Sequence, residues 1–345
     1  QLGALTSDQI GVLSSTQVNA LTTAAFSALK STQAVALTTT QVTGLDATHL
    51  QALSVTVLGA LNTTQTEALT STQVAALKTT QLNALNATAV ADLSTTDVAA
   101  LTTLQVAGLS ATQLGNLTST QVGTLDAGQI GAISVTAIPT LSTTDLGALS
   151  TTQIGGLSSL QVSRLTSTQV GALTSTQFGA LTATAIGGLT SLQVGSVDTA
   201  AVSVLSTTQL NSLTALALGA VTSAQVGALS TTQLSGLAPT KIASISTTAL
   251  GGLTTTDVDA LTTAQVQAFT VAQVGALGAT NLAELTTTTL GSLSVAQFGG
   301  VTSSELAALS TTQVASLSST QLNALTTVAL KALTTDQAAA LTSTE

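Results

Sequence analysis

The stretch LTSTQVGALTSTQFGA, residues 165–180, contains the unit from which the whole sequence is built. It is an octad written twice, with the consensus Leu-[Ser/Thr]-x-Thr-Gln-[Val/Leu/Ile]-[Gly/x]-Ala. On both sides of it, an apolar residue recurs at every eighth position from Leu5 to Leu341, without an insertion or deletion. This gives 43 rows, and the recurring residue is leucine in all but six of them. The sequence therefore predicts one continuous repeat array over residues 1–345, with no separate globular domain.

We name five positions of the octad from the row that begins at Leu165: the leucine slot (Leu165), the cap slot (Thr166), the glutamine slot (Gln169), the second apolar slot (Val170) and the small slot (Ala172). The cap slot holds Ser, Thr, Asp or Asn in 39 rows, and these are the preferred helix N-caps. Gln, Asp or Glu occupies the glutamine slot in 30 rows, which completes a capping box. The two apolar slots have the spacing of a hydrophobic staple, so each row predicts the start of a short helix.

Three architectures compete for this pattern. In a strand, the two apolar slots would point to opposite faces because they lie five residues apart; this disfavours a β-solenoid, although the many Thr and Val residues keep it as the alternative. In one continuous helix, eight residues advance about 800°, so the leucine stripe would wind round the axis. We therefore predict an all-α solenoid with one helix of about six or seven residues per octad, held by stacking on neighbouring rows. Pro239, at a first helical position, supports this register.

The alanines in the glutamine slot suggest how many rows complete one coil. They are separated by multiples of sixteen residues, and the aspartates in the same slot occupy the rows of opposite parity. The prediction that follows is two octads, or 16 residues, per coil. The alanines are Ala25, Ala89, Ala137, Ala185, Ala201, Ala217, Ala249 and Ala329, and the aspartates are Asp97, Asp145 and Asp257.

The composition argues against several classes of function. Aromatic residues make up 1% and charged residues 6% of the chain, and Cys, Met, Trp and Tyr are absent. A net charge of −9 provides no basic surface for nucleic acid. No apolar run approaches the roughly 18 to 20 residues of a membrane-spanning helix. We expect neither nucleic-acid binding nor membrane insertion, and the absence of cysteine suits an extracellular protein.

No residue stands out as catalytic, cofactor-binding or metal-binding. His49, the one histidine, lies in the glutamine slot and is predicted to be a solvent-facing substitute cap. Asp257 and Asp259 are the closest pair of carboxylates, but they lack the further oxygens and turn glycine of a calcium loop and are predicted to lie on a solvated face. The chain has no G-x-S-x-G elbow, P-loop or dinucleotide-binding fingerprint. The sequence therefore predicts a non-enzymatic protein without cofactors or metals.

The rows L-[ST]-x-T-Q-[VIL]-x-A, for instance LTSTQVGA from Leu165, resemble the long Ser/Thr/Ala/Val-rich octapeptide-repeat regions of giant secreted bacterial surface proteins. The resemblance covers the whole chain and carries over no functional residues. It implies an extracellular adhesin stalk, sheath or fibre component on the bacterial cell surface. We expect a structural rod, stalk or filament segment that associates with itself end to end or laterally, or that continues in a longer polypeptide.

Ice binding, or recognition of another surface by a regular threonine array, is the alternative function. Spaced hydroxyl and methyl groups would match a lattice, and Thr174, Thr176, Thr182 and Thr184 illustrate the spacing. The first threonine of each row is already explained as a cap, and Ser, Ala and Leu interrupt the others. The structural function is therefore preferred.

Overall fold

The fold is entirely helical over the part of the chain that the structure describes. The computed structural model describes residues 2–341; Gln1 and residues 342–345, which include Thr342 in the last cap slot, lie outside it. Within residues 2–341 there are 41 short α-helices and two 3-10 helices, and no strand. The prediction of an all-α solenoid is confirmed, and the β-solenoid alternative is wrong.

The chain forms two compact units, Gln1–Leu173 and Thr174–Glu345. The 3-10 helices of the first unit are Leu2–Ala4 and Ile138–Thr140. Its α-helices, α1 to α20 in chain order, are Ser7–Gly11, Ser15–Asn19, Thr23–Ser27, Ser31–Ala34, Thr39–Thr43, Ala47–Ala52, Val55–Leu58, Thr63–Glu67, Ser71–Ala76, Thr79–Leu82, Ala87–Ala91, Thr95–Ala99, Thr103–Gly108, Ala111–Asn116, Ser119–Val122, Ala127–Ala132, Thr143–Ala148, Thr151–Ile154, Ser159–Arg164 and Ser167–Gly171.

The second unit has the same construction. Its α-helices, α21 to α41, are Ser175–Ala180, Ala183–Ile186, Ser191–Ser196, Thr199–Ser203, Thr207–Ser212, Ala215–Leu218, Ser223–Gly227, Thr231–Ser235, Pro239–Ile242, Thr247–Leu250, Thr255–Asp259, Thr263–Gln267, Val271–Val274, Ala279–Glu284, Thr287–Gly291, Val295–Phe298, Ser303–Ala308, Thr311–Ala315, Ser319–Ala324, Thr327–Leu330 and Thr335–Ala340. The helices are four to six residues long, slightly shorter than the sequence predicts.

Most helices begin at the predicted capping box. In the row of Leu165, Thr166 has extended backbone angles (φ −71°, ψ 158°) and its Oγ1 accepts from the backbone N–H of Gln169 at 3.1 Å. The Gln169 Oε1 in turn accepts from the backbone N–H of Thr166 at 2.7 Å. Two of the N–H groups that a helix start leaves unpaired are thereby satisfied. The helix ends before Leu173, and the next cap starts another helix.

The two prolines of the chain have different effects on helix formation. Pro239 occupies the first turn of α29, as predicted, where its missing N–H costs nothing. Pro139 lies late in its row, and there the chain forms a turn and the 3-10 helix Ile138–Thr140 in place of an α-helix. Proline inside a helix removes an N–H donor and clashes with the preceding turn. The row nevertheless keeps its apolar side chain Ile138 fully buried.

Both apolar slots form the core of each unit. Leu101 in a leucine slot is 3% exposed, and Val106 in the following second apolar slot is 1% exposed. The four phenylalanines of the chain occupy the same two slots and are buried: Phe26, Phe178, Phe269 and Phe298. Aliphatic side chains of nearly one size fill this core, which explains why it needs so few aromatic residues.

The predicted coil of 16 residues is wrong, because one coil contains three octads. In the first unit α13 packs on α16, and in the second unit α22 packs on α25, three rows further along the chain. Three is odd, so each row stacks on rows of opposite parity, and the alternation of alanine and aspartate rows has no structural counterpart. In this arrangement both apolar slots are buried.

The small slot permits close approach between coils. A Cβ atom on Gly156 would lie 2.3 Å from the backbone O of Ala127, and one on Gly252 would lie 1.9 Å from the backbone O of Ser223. Both oxygens belong to the preceding coil. Side chains at these positions would push the coils apart, since atoms in a packed interior leave no such space.

Candidate functional site

The glutamine slot is the most elaborate polar feature of the molecule, and we call the set of its contacts the glutamine ladder. Gln105, 2% exposed, accepts from the backbone N–H of Thr102 through Oε1 at 2.8 Å. Its Nε2 donates to the carbonyl oxygens of Val74 and Leu77, both at 2.8 Å. Those carbonyls lie at the end of a helix on the preceding coil. One buried amide therefore satisfies a helix start and a helix end, which both leave backbone groups unpaired.

The same double contact recurs in both units. In this double contact a glutamine donates to a leucine-slot carbonyl 28 residues earlier and to a second-apolar-slot carbonyl 31 residues earlier. Gln121, Gln153 and Gln209 instead combine the leucine-slot carbonyl with a carbonyl 30 residues earlier. Besides Gln105, the glutamines with both contacts are Gln41, Gln65, Gln73, Gln81, Gln113, Gln161, Gln225, Gln233, Gln265, Gln273, Gln297 and Gln337.

Sequence reasoning assigned these glutamines only to capping and missed their role between coils. A signal was present in the choice of residue. Glu completes a capping box as well as Gln does, yet the glutamine slot holds 25 Gln and two Glu. Only Gln carries an amide donor in addition to the capping oxygen. The preference for Gln therefore indicates an acceptor beyond its own helix.

Other donors replace glutamine without losing the contact. His49 Nε2 lies 2.7 Å from the carbonyl oxygen of Leu21, so the ring nitrogen is the donor there. Asn281 Nδ2 donates to the Leu253 carbonyl at 3.1 Å, and the Lys241 ammonium donates to the Leu213 carbonyl. These residues differ in shape and charge but all supply an N–H group. Donation to the preceding coil is therefore the property that they share.

The prediction that His49 is a solvent-facing substitute cap is wrong. His49 is 7% exposed, and its ring lies 4.7 Å from the ring of Phe26, centroid to centroid. Asp46 provides the cap, because its Oδ1 accepts from the backbone N–H of His49 at 2.9 Å. That hydrogen bond is the main cause that lowers the pKa of Asp46, with a smaller contribution from the facing His49 ring. The slot directs its side chain inward to reach the preceding coil, which explains the burial.

Asparagine side chains form a second contact between coils. Asn83 Nδ2 donates to the Gly108 carbonyl at 2.7 Å, and Asn211 Nδ2 donates to the Gly236 carbonyl at 2.8 Å. Asn211 Oδ1 also accepts from the backbone N–H of Ala238 at 2.8 Å. Ala238 occupies the cap slot of the row in which Lys241 replaces the capping glutamine. The preceding coil therefore supplies the acceptor that this row lacks.

Gly278 and Glu305 form a contact between coils in which the direction of the hydrogen bond is reversed. Glu305 is 1% exposed, and its Oε2 accepts from the backbone N–H and the hydroxyl of Thr302. Its Oε1 accepts from the Gly278 N–H at 3.0 Å, since a carboxylate cannot donate to the Leu277 carbonyl. Gly278 has φ 82° and ψ 159°, a region open essentially to glycine alone. The positive φ thus accompanies an N–H group that points to the acidic side chain.

Replacing Gly278 with Thr is expected to destabilise the chain by about 1–3 kcal/mol, because threonine does not tolerate this backbone conformation. Replacing Glu305 with Gln alone is expected to cost about 1–2 kcal/mol, because an amide donor would face the Gly278 N–H. The double variant restores the consensus pair and is expected to be more stable than either single variant. Urea unfolding of the four proteins measures this coupling, and additive losses would contradict the proposed matching.

Asp257 and Asp259, the closest pair of carboxylates in the sequence, lie in different environments. Asp257 is 6% exposed and accepts from the backbone N–H and hydroxyl of Thr254, so its predicted solvated position is wrong. Asp259 is exposed, as predicted. Within residues 2–341, no three His, Cys, Asp or Glu side chains are grouped to hold a metal ion. No described helix has both the length and the apolar character needed to cross a bilayer.

A cavity in the second unit is too small to be an ordinary ligand site. It has a volume of about 30 Å³ and lies between second-apolar-slot side chains such as Val202 and Val226. Ligand pockets usually measure about 300–1,000 Å³.

The threonines proposed for surface recognition are exposed. Thr174, Thr176, Thr182 and Thr184 all lie on the outside of the second unit. Thr174 Oγ1 accepts from the backbone N–H of Gln177, and Thr182 Oγ1 accepts from that of Ala185. Two of the four hydroxyls are thus already engaged in capping.

Comparison with known families agrees with the repeat architecture. Five segments match the ALTTAQ repeat. They cover residues 1–23, 45–79, 74–111, 138–175 and 252–287, which together make up less than half of the chain. No curated protein matches the chain. The octads are thus similar to a recognised repeat, and the chain contains a repeat region.

Proposed function

We propose that this chain is a non-enzymatic structural segment of an extracellular bacterial rod, stalk or filament. The observation that carries the proposal is the glutamine ladder, which recurs within both units and joins a coil to the one before it. A molecule built in this way can be extended by adding rows without changing any contact. An adhesin stalk, sheath or fibre needs this property.

The contacts also suit a load-bearing element. Tension along the stack would act on buried hydrogen bonds and on apolar contacts in every coil, so no single layer carries a unique weak point. Each coil contacts its neighbours, and stability is then approximately a sum of similar terms. An enzyme, by contrast, requires a few residues unlike their surroundings. The recurrence of one environment along the chain favours the mechanical role.

The proposed location is the bacterial cell surface or its exterior. The resemblance to repeat regions of giant secreted surface proteins supports this, and the absence of cysteine fits an oxidising exterior. The proposed partners are further copies of the same repeat, in another chain or in a longer polypeptide. Neither nucleic acid nor a membrane interior is a proposed partner, given the net charge of −9.

The test changes the length of the stack in units of one coil. Deleting residues 109–132 removes three complete rows, and duplicating them adds three. Helices pack about 8–10 Å apart, so each change should shorten or lengthen the particle by about 8–10 Å. Small-angle scattering and electron microscopy of the purified proteins measure this length. A globular particle, or a length that does not follow the number of coils, would overturn the proposal.

The alternative function is ice binding by exposed threonines. Its support is the outward position of Thr176 and Thr184, whose rows are adjacent in the sequence. A thermal-hysteresis assay separates the two functions. A structural segment is expected to produce no hysteresis gap, whereas a gap lost on replacing Thr176 and Thr184 by Lys would favour ice binding.

A further inference from the structure

We propose that a surface groove in the second unit binds an uncharged saccharide. The groove has a volume of about 590 Å³ and is open to solvent. It lies across two rows, those that begin at Phe269 and Leu293, whose helices α33 and α36 pack on each other in successive coils. Ligand pockets usually measure about 300–1,000 Å³. The inference goes beyond the structural role and does not depend on it.

The two rows that form the groove depart from the consensus in the same way. They read FTVAQVGA (269–276) and LSVAQFGG (293–300), and no other row has Val-Ala after the cap slot. Val271 is 44% exposed and provides apolar surface in the groove. Ala296 is smaller than the consensus threonine and leaves space beside it. Phe269 is the one phenylalanine that occupies a leucine slot. The groove therefore coincides with a local change in the repeat.

Gln267 contributes a free amide group to the groove. Its side chain is exposed, and among residues 2–341 it has no hydrogen-bond partner. Gln51 occupies the same octad position in the first unit, and there Nε2 donates to the carbonyl oxygen of Ala76 at 2.7 Å. The Gln267 amide is thus able to donate and to accept one hydrogen bond or more from a ligand.

Two cap hydroxyls in the groove also keep a free donor. Thr270 Oγ1 and Ser294 Oγ each accept from the backbone N–H of the glutamine three residues later, both at 3.2 Å. In the row before them, the Thr262 hydroxyl donates as well, to Oε1 of Gln265 at 3.1 Å. Over the described part of the chain, neither Thr270 nor Ser294 has an acceptor for its hydroxyl proton. Both protons remain for a ligand oxygen.

A buried contact holds the two walls of the groove together. Gln297 is 5% exposed, and its Nε2 donates to the carbonyl oxygens of Gln267 at 3.2 Å and Phe269 at 2.7 Å. The Phe269 side chain is itself 3% exposed. The backbone on one side is therefore fixed to a side chain on the other. A groove formed in advance lowers the ordering cost of binding a ligand.

The chemistry of the lining selects the class of ligand. No acidic or basic side chain lines the groove, so a phosphate or carboxylate would find no charged partner. Val271 and Ala296 instead offer aliphatic surface, while Gln267, Thr270 and Ser294 offer neutral hydrogen-bonding groups. A saccharide carries hydroxyl groups that both donate and accept, together with C–H faces that pack on aliphatic side chains. An uncharged saccharide therefore complements both parts of the lining.

The experiment measures binding of the purified full chain to immobilised oligosaccharides. The probes are uncharged oligomers of hexoses and of N-acetylhexosamines, with sialylated and sulfated oligosaccharides beside them. We expect binding to at least one uncharged probe, and titration calorimetry then gives its affinity. Gln267→Ala should weaken this affinity about threefold to tenfold, since hydrogen bonds to one amide are lost. Binding to no uncharged probe, or to acidic probes alone, would overturn the proposal.

A matched control separates the groove from the rest of the surface. Ala296→Phe places a ring in the groove and should abolish binding. Ala272→Phe makes the same change at the same octad position of the neighbouring coil, at an exposed residue that does not line the groove, and should leave the affinity unchanged.

Circular dichroism with thermal melting establishes that both phenylalanine variants are folded. Gln267→Ala tests the site even where Ala296→Phe is unstable, because the Gln267 side chain makes no hydrogen bond within residues 2–341. Equal loss of binding in the two phenylalanine variants, or full affinity in Gln267→Ala, would overturn the proposal. Neither result would affect the coil-by-coil length change that tests the structural function.

Discussion

Replacing Leu101 with Asp is expected to lower the free energy of unfolding by at least about 3 kcal/mol. The leucine side chain is 3% exposed, so the variant loses apolar burial and places a carboxylate in a core of small aliphatic groups. The loss should appear as a lower midpoint in urea and in thermal unfolding.

Thr103→Asp is the matched control for this change. Thr103 is exposed and begins α13, where a negative charge interacts favourably with the helix N-terminus. The expected change is within about 0.5 kcal/mol. Equal unfolding midpoints for the Leu101 and Thr103 variants would contradict the assignment of the leucine slot to the core.

Replacing Gln105 with Glu is expected to cost about 2–4 kcal/mol, since it removes a donor and sets a carboxylate against two carbonyl oxygens. The cap on Thr102 would remain, so the loss measures the contact between coils. Gln105→Ala, which eight other rows tolerate naturally, should cost less, about 1–2 kcal/mol.

The same substitution in the first coil provides the control for position. Gln9 makes the same capping contact as Gln105 but is exposed. Gln9→Glu is therefore expected to change stability by less than about 0.5 kcal/mol. Urea unfolding of the Gln105→Glu, Gln105→Ala and Gln9→Glu variants measures these differences in stability. Equal losses at Gln105 and Gln9 would show that capping alone explains the glutamine.

The sequence was sufficient for the local structure but not for the closure of the coil. Thr166 and Gln169 lie three residues apart, and short-range rules determine what they do. The number of rows per coil depends on which distant backbone Gln169 reaches, and a period of eight residues is compatible with several answers. The alanine and aspartate rows suggested two, and the carbonyl of Leu141, 28 residues before Gln169, shows three.

The same limit applies to the polar exceptions. His49 resembled a surface substitution because its acceptor, the Leu21 carbonyl, lies 28 residues away. Gly278 and Glu305 are 27 residues apart, and nothing in the intervening sequence connects them. In each case the position within the octad was predicted correctly, whereas the environment depended on the neighbouring coil.

Disulfide cross-linking across one coil tests the central claim most directly, and the chain has no native cysteine to interfere. A Cβ atom on Gly179 would lie 3.8 Å from that of Val204, close to the mean separation in disulfides. With three octads per coil, the pair Gly179→Cys and Val204→Cys should oxidise readily. The pair Gly179→Cys and Ser196→Cys, which joins the same slots across two octads, should remain reduced. Rapid oxidation of the second pair and not of the first would contradict the three-octad coil.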